Sequence, residues 1–212
     1  KSTALPGLLD TPAPTTLWGN VIYQKSWGDE ETHYGFYSFS TAAPMAPLNL
    51  LAEDPTMIAN GGSGVVNGVM HTVFLDLSLS MWGVINAYHR QYDPSSWQRV
   101  APEQKIDLSL AAFETAQDQT TGEIYGEFYN SDLTQREFGV IDFENETRTT
   151  FGTTTKAYVA LGLSSDGYLY GVATDGNLYK IDKTNGAETM IGSTGVQILD
   201  AEGSYFNQSG EI

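Results

Sequence analysis

The sequence predicts an all-β chain folded as a β-propeller of about four four-stranded blades, and three observations carry that prediction. An aromatic-Gly pair recurs as Trp18-Gly19, Trp82-Gly83, Tyr125-Gly126 and Tyr170-Gly171, the last three spaced by 43 and 45 residues. A polar turn recurs at Ser40, Asp93, Asp142 and Asp182, with intervals of 53, 49 and 40 residues. Apolar residues alternate with polar ones over short stretches, as around Val140-Ile141-Asp142-Phe143, and no long helical period is present. A repeat in the forties with only strand-like content is the signature of propeller blades.

Taken in chain order, residues 1–16 hold three prolines and no periodicity, so they read as a linker or the start of a mature chain. Blade one is expected over residues 17–51, with strands around 18–25, 33–40 and 48–51. Blade two follows over 56–101, where Gly61-Gly62-Ser63-Gly64 leads a short inner strand and Asn67-Gly68 supplies a type I′ hairpin. Blade three is placed at 106–152. Its residues 103–117 could tempt a helix assignment, but they precede the TTGEIYGEF hairpin as residues 158–164 precede SDGYLYGVA, so 107–115 reads as an inner strand. Blade four spans 157–192, with Asp182-Lys183-Thr184-Asn185-Gly186 as a tight turn. Residues 197–212 read as the start of a fifth blade, because Gly210-Glu211-Ile212 repeats Gly122-Glu123-Ile124. The chain therefore reads as the front part of a longer propeller. The alternative is a closed four-bladed ring in which residues 198–206 return to complete blade one.

Composition bounds the chemistry. With 212 residues, 41% of them hydrophobic, the chain can bury a substantial core. A formal net charge of −16, with ten Lys and Arg scattered along the chain, argues against nucleic acid and anionic membranes as partners. No run is long and apolar enough to predict membrane insertion. The absence of cysteine excludes disulfides, zinc-thiolate sites and cysteine nucleophiles.

Motifs of catalysis are missing: no HExxH, GxSxG or GxxxxGK[ST] occurs. The three histidines, His33, His71 and His89, sit in strand-like stretches and read first as strand positions, second as ligands or acid-base groups. Asp29-Glu30-Glu31 offers the hard oxygens a Ca²⁺ would need, and equally makes a charged hairpin loop; no other cofactor is expected. Aromatic residues in loops and at strand ends are the better lead. Trp27, Tyr34, Tyr92 and Trp97 stand near Asp, Glu, Asn and Gln, the mixture that recognises carbohydrate or peptide by stacking plus hydrogen bonding.

The segments DGYLYGVATDGNLYKIDKTNGAETMIG and TGEIYGEFYNSDLTQREFGVIDFENETRTTFG resemble the irregular propeller repeats of exported bacterial surface proteins, related in fold to the Kelch, NHL and quinoprotein-like propellers. The chain lacks the Gly-His and Trp-Asp signature of WD repeats and the paired glycines of regular Kelch repeats. The resemblance implies a secreted or cell-surface location and a binding role, and it transfers no catalytic residue. The sequence thus reads as a non-catalytic extracellular binding or adhesion propeller for a glycan or protein ligand. The competing reading is a propeller-type hydrolase or lyase with a divalent metal in its axial funnel.

Overall fold

The computed structural model describes residues 16–24, 32–43, 46–54, 60–76, 78–130 and 135–195. Their strands form four antiparallel sheets, and within each sheet the strands lie in sequence order. Blade one holds β1 (Thr16–Gln24), β2 (Thr32–Ser40) and β3 (Asn49–Glu53). Blade two holds β4 (Asn60–Val66), β5 (Val69–Asp76), β6 (Asn86–Tyr92) and β7 (Gln104–Ile106). Blade three comprises β8 (Ala112–Gln117), β9 (Ile124–Tyr129), β10 (Arg136–Asp142) and β11 (Thr147–Thr154). Blade four comprises β12 (Tyr158–Leu163), β13 (Leu169–Ala173), β14 (Asn177–Ile181) and β15 (Glu188–Ser193). The first strands of successive blades adjoin, β4 against β8 and β8 against β12, which makes the fold a four-bladed β-propeller.

The polar-turn ruler has a single physical basis. Ser40 and Asp142 end β2 and β10, while Asp93 and Asp182 directly follow β6 and β14. Each accepts a hydrogen bond from the backbone two residues on: Ala42 N to Ser40 Oγ (3.2 Å), Ser95 N to Asp93 Oδ1 (2.8 Å), Glu144 N to Asp142 Oδ1 (3.0 Å) and Thr184 N to Asp182 Oδ1 (2.8 Å). Such side-chain turns stop a strand and start the hairpin to the next.

The aromatic-Gly ruler mixes two causes. Gly126 and Gly171 lie inside β9 and β13, where a Cβ would stand 2.8 Å from Phe128 Cζ and 2.5 Å from Tyr158 Cδ1. Those glycines make room for rings. Gly83 instead has open space around it and a φ of +73°, in the connection between β5 and β6 where Ser80–Trp82 forms one 3-10 turn. The Trp82-Gly83 pair is therefore a turn, and β5 occupies the position that the repeat assigns to it. Trp18-Gly19 lies on β1, beside β2 as β9 lies beside β10, which makes β1 the second strand of its blade by phase. No first strand of blade one occurs among the described residues. Residues 1–15 and 196–212, which include the expected returning strand and fifth-blade start, lie outside them.

Two further details differ from expectation. Blade two runs on to β7 at Gln104–Ile106, later than residue 101. The stretch before β8 begins with a 3-10 turn, Leu108–Leu110, capped by Asp107, whose carboxylate accepts from Ser109 N. The inner strand starts only at Ala112. The hairpin at Asn67-Gly68 carries φ values of +51° and +79°, the type I′ pattern expected.

Blades join through three apolar clusters. Phe36, Phe74 and Tyr92 bind blade one to blade two. Val73, Ala112, Ile124 and Phe128 belong to the cluster between blades two and three, and Leu161, Leu169, Tyr125 and Phe138 to that between three and four. At the second seam the glycine run is the inner strand itself. A Cβ at Gly62 would stand 2.8 Å from Thr115 Cγ2 and 3.0 Å from Ala112 Cβ, and one at Gly64 would stand 2.3 Å from Ile124 Cδ1. This close approach lets β8 side chains serve the open edge of β4. Ser63 N–H donates to Thr115 Oγ1 (3.0 Å), which donates back to Ser63 O (2.9 Å). Val65 N–H donates to Gln117 Oε1 (3.0 Å), while Gln117 Nε2 donates to Val65 O (2.6 Å).

Replacing Gly62 by Ala combines a φ of +100° with a clash into β8, so it is expected to cost about 3 kcal/mol and lower Tm by roughly 6–12 °C. Gly122→Ala shares the positive φ but meets nothing within 4 Å, so its cost should be about 1 kcal/mol. Thermal unfolding of both variants checks this; equal losses would show that seam packing at β4 is unimportant.

Candidate functional site

Among the clefts at the blade seams, two bring aromatic or imidazole side chains together. The first lies between blades one and two, has a volume of about 340 Å³ and is lined by Phe36, Tyr92, Trp97, Asp54, Gln98 and Arg99 among others. β2 places Phe36 at its centre. The Tyr92 ring meets it edge-on (4.7 Å, 71°), and the Trp97 ring stacks on it (4.6 Å, 27°). Trp97 owes its position to the turn after β6. Its N–H donates to Asp93 O (2.7 Å), and its φ of +56° is left-handed, a conformation costly for a bulky residue.

Charge braces this aromatic floor. Asp54 Oδ2 accepts from Tyr92 Oη (2.9 Å) and Arg99 Nη2 (3.1 Å), and lies 3.6 Å from Arg90 Nη1. Arg90 also donates through Nε to Glu103, and its guanidinium lies 4.6 Å from the centre of the Phe74 ring. Two cations and two carboxylates thus balance in a partly buried network. Burial, followed by the adjacent Asp54 carboxylate, pushes the Tyr92 phenol above its ordinary range.

Of the residues expected to bind ligand, the structure brings three together. Trp97 lines the cleft half-buried, Tyr34 packs half-buried against the same cluster, and Tyr92 is buried with its hydroxyl committed to Asp54. Trp27 and the possible Ca²⁺ ligands Asp29, Glu30 and Glu31 lie outside the described residues. Among the described residues, no group of three or more His, Asp or Glu stands where it could hold a metal. Trp18 and Trp82 are 62% and 80% exposed, away from any of the three apolar clusters.

The second cleft, about 290 Å³, lies between blades two and three. His71 on β5 and His89 on β6 are both buried, and their rings are joined by a 2.9 Å Nδ1···Nε2 hydrogen bond. In the β5–β6 register His71 faces Gln91 and Val73 faces His89, so the two histidines are diagonal neighbours on one sheet face. His89 Nδ1 lies 3.2 Å from Glu146 Oε1, at the β10–β11 turn, where Glu146 has a φ of +51°. Phe143 covers both imidazoles at 5.7 Å and within 23° of parallel. Burial first, then the neighbouring His89, lowers the pKa of His71. Nothing in sequence spacing reveals this arrangement, because the connection between β5 and β6 hides their register.

A buried carboxylate marks the third seam. Glu127 on β9 has no solvent exposure; it accepts from Thr154 Oγ1 (2.5 Å) and Tyr158 N (3.1 Å), with Arg136 Nε at 3.7 Å. Desolvation dominates those bonds and raises its pKa to about 7. Its partners on β11 and β12 make it a joint between blades three and four.

No family model matches the sequence, and no curated protein does. The fold is similar to that of a gluconolactonase from Xanthomonas campestris, with a TM-score of 0.52 and 12% identity over 84% of this chain and 63% of that one. It is also similar to TolB from Acinetobacter baumannii, with a TM-score of 0.51 and 12% identity over 90% of this chain and 47% of that one. The chain thus spans less than two thirds of either protein, and at such identity the likeness concerns the fold.

Glu127 generates a pH prediction. Its folded pKa of about 7 lies above its ordinary 4.5, so its contribution is fully present below about pH 4.5 and is lost as pH rises through 7. At about 1.4 kcal/mol per unit the loss is on the order of 3 kcal/mol. The difference in stability between wild type and Glu127→Gln, followed by urea unfolding from pH 4.5 to 8, should move in favour of the variant by that order. A difference independent of pH would refute the assignment.

Proposed function

We propose that this propeller is an exported binding protein that recognises a neutral glycan through the cleft between blades one and two. The observation that carries the reading is Trp97: an indole held in a left-handed turn, stacked on Phe36 and rimmed by Asp54, Gln98 and Arg99. An aromatic ring offers a flat apolar surface to the C–H face of a sugar, and the surrounding carboxylate, amide and guanidinium read its hydroxyls. The space of about 340 Å³ suits a sugar unit rather than a protein surface. A chain charge of −16 disfavours polyanionic glycans, which leaves neutral ones. Export rests on the resemblance of the repeats to those of exported bacterial surface propellers. Tyr34 and Tyr92 act here as support for Phe36 and Trp97, and any contribution from Trp27 belongs to the same reading.

Removing the indole should weaken recognition while sparing the fold. Trp97→Ala is expected to weaken binding of neutral oligosaccharides about 30-fold, equivalent to about 2 kcal/mol of lost stacking and apolar contact, with Trp97→Tyr retaining part of it. A glycan array followed by calorimetry on the best neutral hit measures this. Selective capture of proteins, or binding that is indifferent to Trp97, would overturn the proposal.

A further inference from the structure

The geometry points to a second, chemically active site in the cleft between blades two and three, where Glu146, His89 and His71 form a proton relay whose terminal nitrogen, Nε2 of His71, acts as general base in hydrolysis of a neutral carboxylic ester or lactone. It is independent of the glycan cleft, shares none of its residues and uses none of the metal chemistry considered from sequence.

The relay follows from the bonds. Glu146 accepts from His89 Nδ1–H, so His89 Nε2 carries the lone pair that accepts from His71 Nδ1–H. This leaves Nε2 of His71 as the one nitrogen of the two rings without a protein partner among the described residues, at a cleft that both histidines line. Phe143 fixes the ring planes by lying parallel over both. A base oriented by a second imidazole and then by a carboxylate has the logic of a catalytic triad, with water in place of the side-chain nucleophile.

The lining selects the substrate. Besides the relay it presents Gln91, Gln104 and Glu144, with Val66, Val69 and Phe143, and among the described residues its lining holds no Lys or Arg. Carboxylates at the rim repel phosphate esters, sulfate esters and any substrate that carries a free carboxylate, whereas the amides serve a neutral carbonyl compound. In the reaction His71 Nε2 takes a proton from water as the water oxygen bonds to the carbonyl carbon. The tetrahedral species then expels its alkoxy oxygen, which takes the proton back from His71, so one ester and one water give one acid and one alcohol. Gln91 and Gln104 are the N–H donors available to the carbonyl oxygen. His71 is the catalytic residue; His89 and Glu146 are positioning residues. The lowered pKa of His71 keeps the base unprotonated at neutral pH.

The test uses the full chain and two chromogenic probes, p-nitrophenyl acetate and p-nitrophenyl phosphate. Wild type should hydrolyse the acetate and not the phosphate, with a rate that rises with pH to a plateau as His71 loses its proton. His71→Gln should lose 10²-fold or more of that rate. Glu146→Gln replaces a surface carboxylate by its isostere, keeps the fold, and should lower kcat about tenfold while moving the pH profile. No hydrolysis above buffer by wild type, a His71→Gln rate equal to wild type, equal cleavage of the phosphate, or an unchanged rate and pH profile in Glu146→Gln would each overturn the proposal.

Discussion

The structure depends on how each blade covers the open edge that its neighbour presents. A strand edge in a sheet exposes N–H and C=O groups that must be paired or hydrated, and burying them unpaired costs more than most single contacts return. At β4 the solution is explicit. Thr115 and Gln117 each give one donor and one acceptor to the backbone of Ser63 and Val65, so two side chains act as a stretch of strand. That arrangement requires β4 to approach blade three without side chains of its own at Gly62 and Gly64, where a Cβ would meet Thr115, Ala112 or Ile124. The glycine run Gly61-Gly62-Ser63-Gly64 is a packing device.

The same constraint explains where the clefts are. Blades pack tightly near β4, β8 and β12, but the turns that follow β6 and β10 project from the joined sheets and bring their own side chains to the seam. Trp97 comes from the turn after β6, and Phe143, Glu144 and Glu146 from the turn after β10. Each turn is fixed by an aspartate, Asp93 or Asp142, whose carboxyl is held below its ordinary range chiefly by bonds from Ser95 N and the Asn145 side chain respectively. Turn chemistry repeated for folding thus delivers different residues to equivalent places. Variation among repeats at those places supplies an aromatic cleft at one seam and an imidazole relay at the next.

Much of this architecture was legible in the sequence because its signals are local. Ser40, Asp93, Asp142 and Asp182 each bond to a backbone N–H two residues on, so they marked strand ends from sequence alone. The aromatic-Gly pairs were less reliable, since glycine answers two needs: Gly126 and Gly171 yield space to a ring, while Gly83 supplies a positive φ. Asp107-Leu108-Ser109-Leu110 reads as strand because a 3-10 turn has too few residues to show a period. At the sites, Tyr34, Tyr92 and Trp97 could be singled out as aromatics near strand ends. Their partners could not be: Phe36 reaches Tyr92 and Trp97, and Asp54 reaches Tyr92, across a blade boundary, and His71 finds His89 through a strand register that no spacing reveals.

The claim that side chains of one blade complete the strand edge of the next is tested most directly by amide hydrogen exchange at Ser63 and Val65, measured by NMR in wild type and in a Thr115→Val, Gln117→Leu variant. In wild type both amides should be as protected as those of β5, and the variant should lose protection at these two positions first. Fast exchange of Ser63 and Val65 in the wild-type protein would contradict the account.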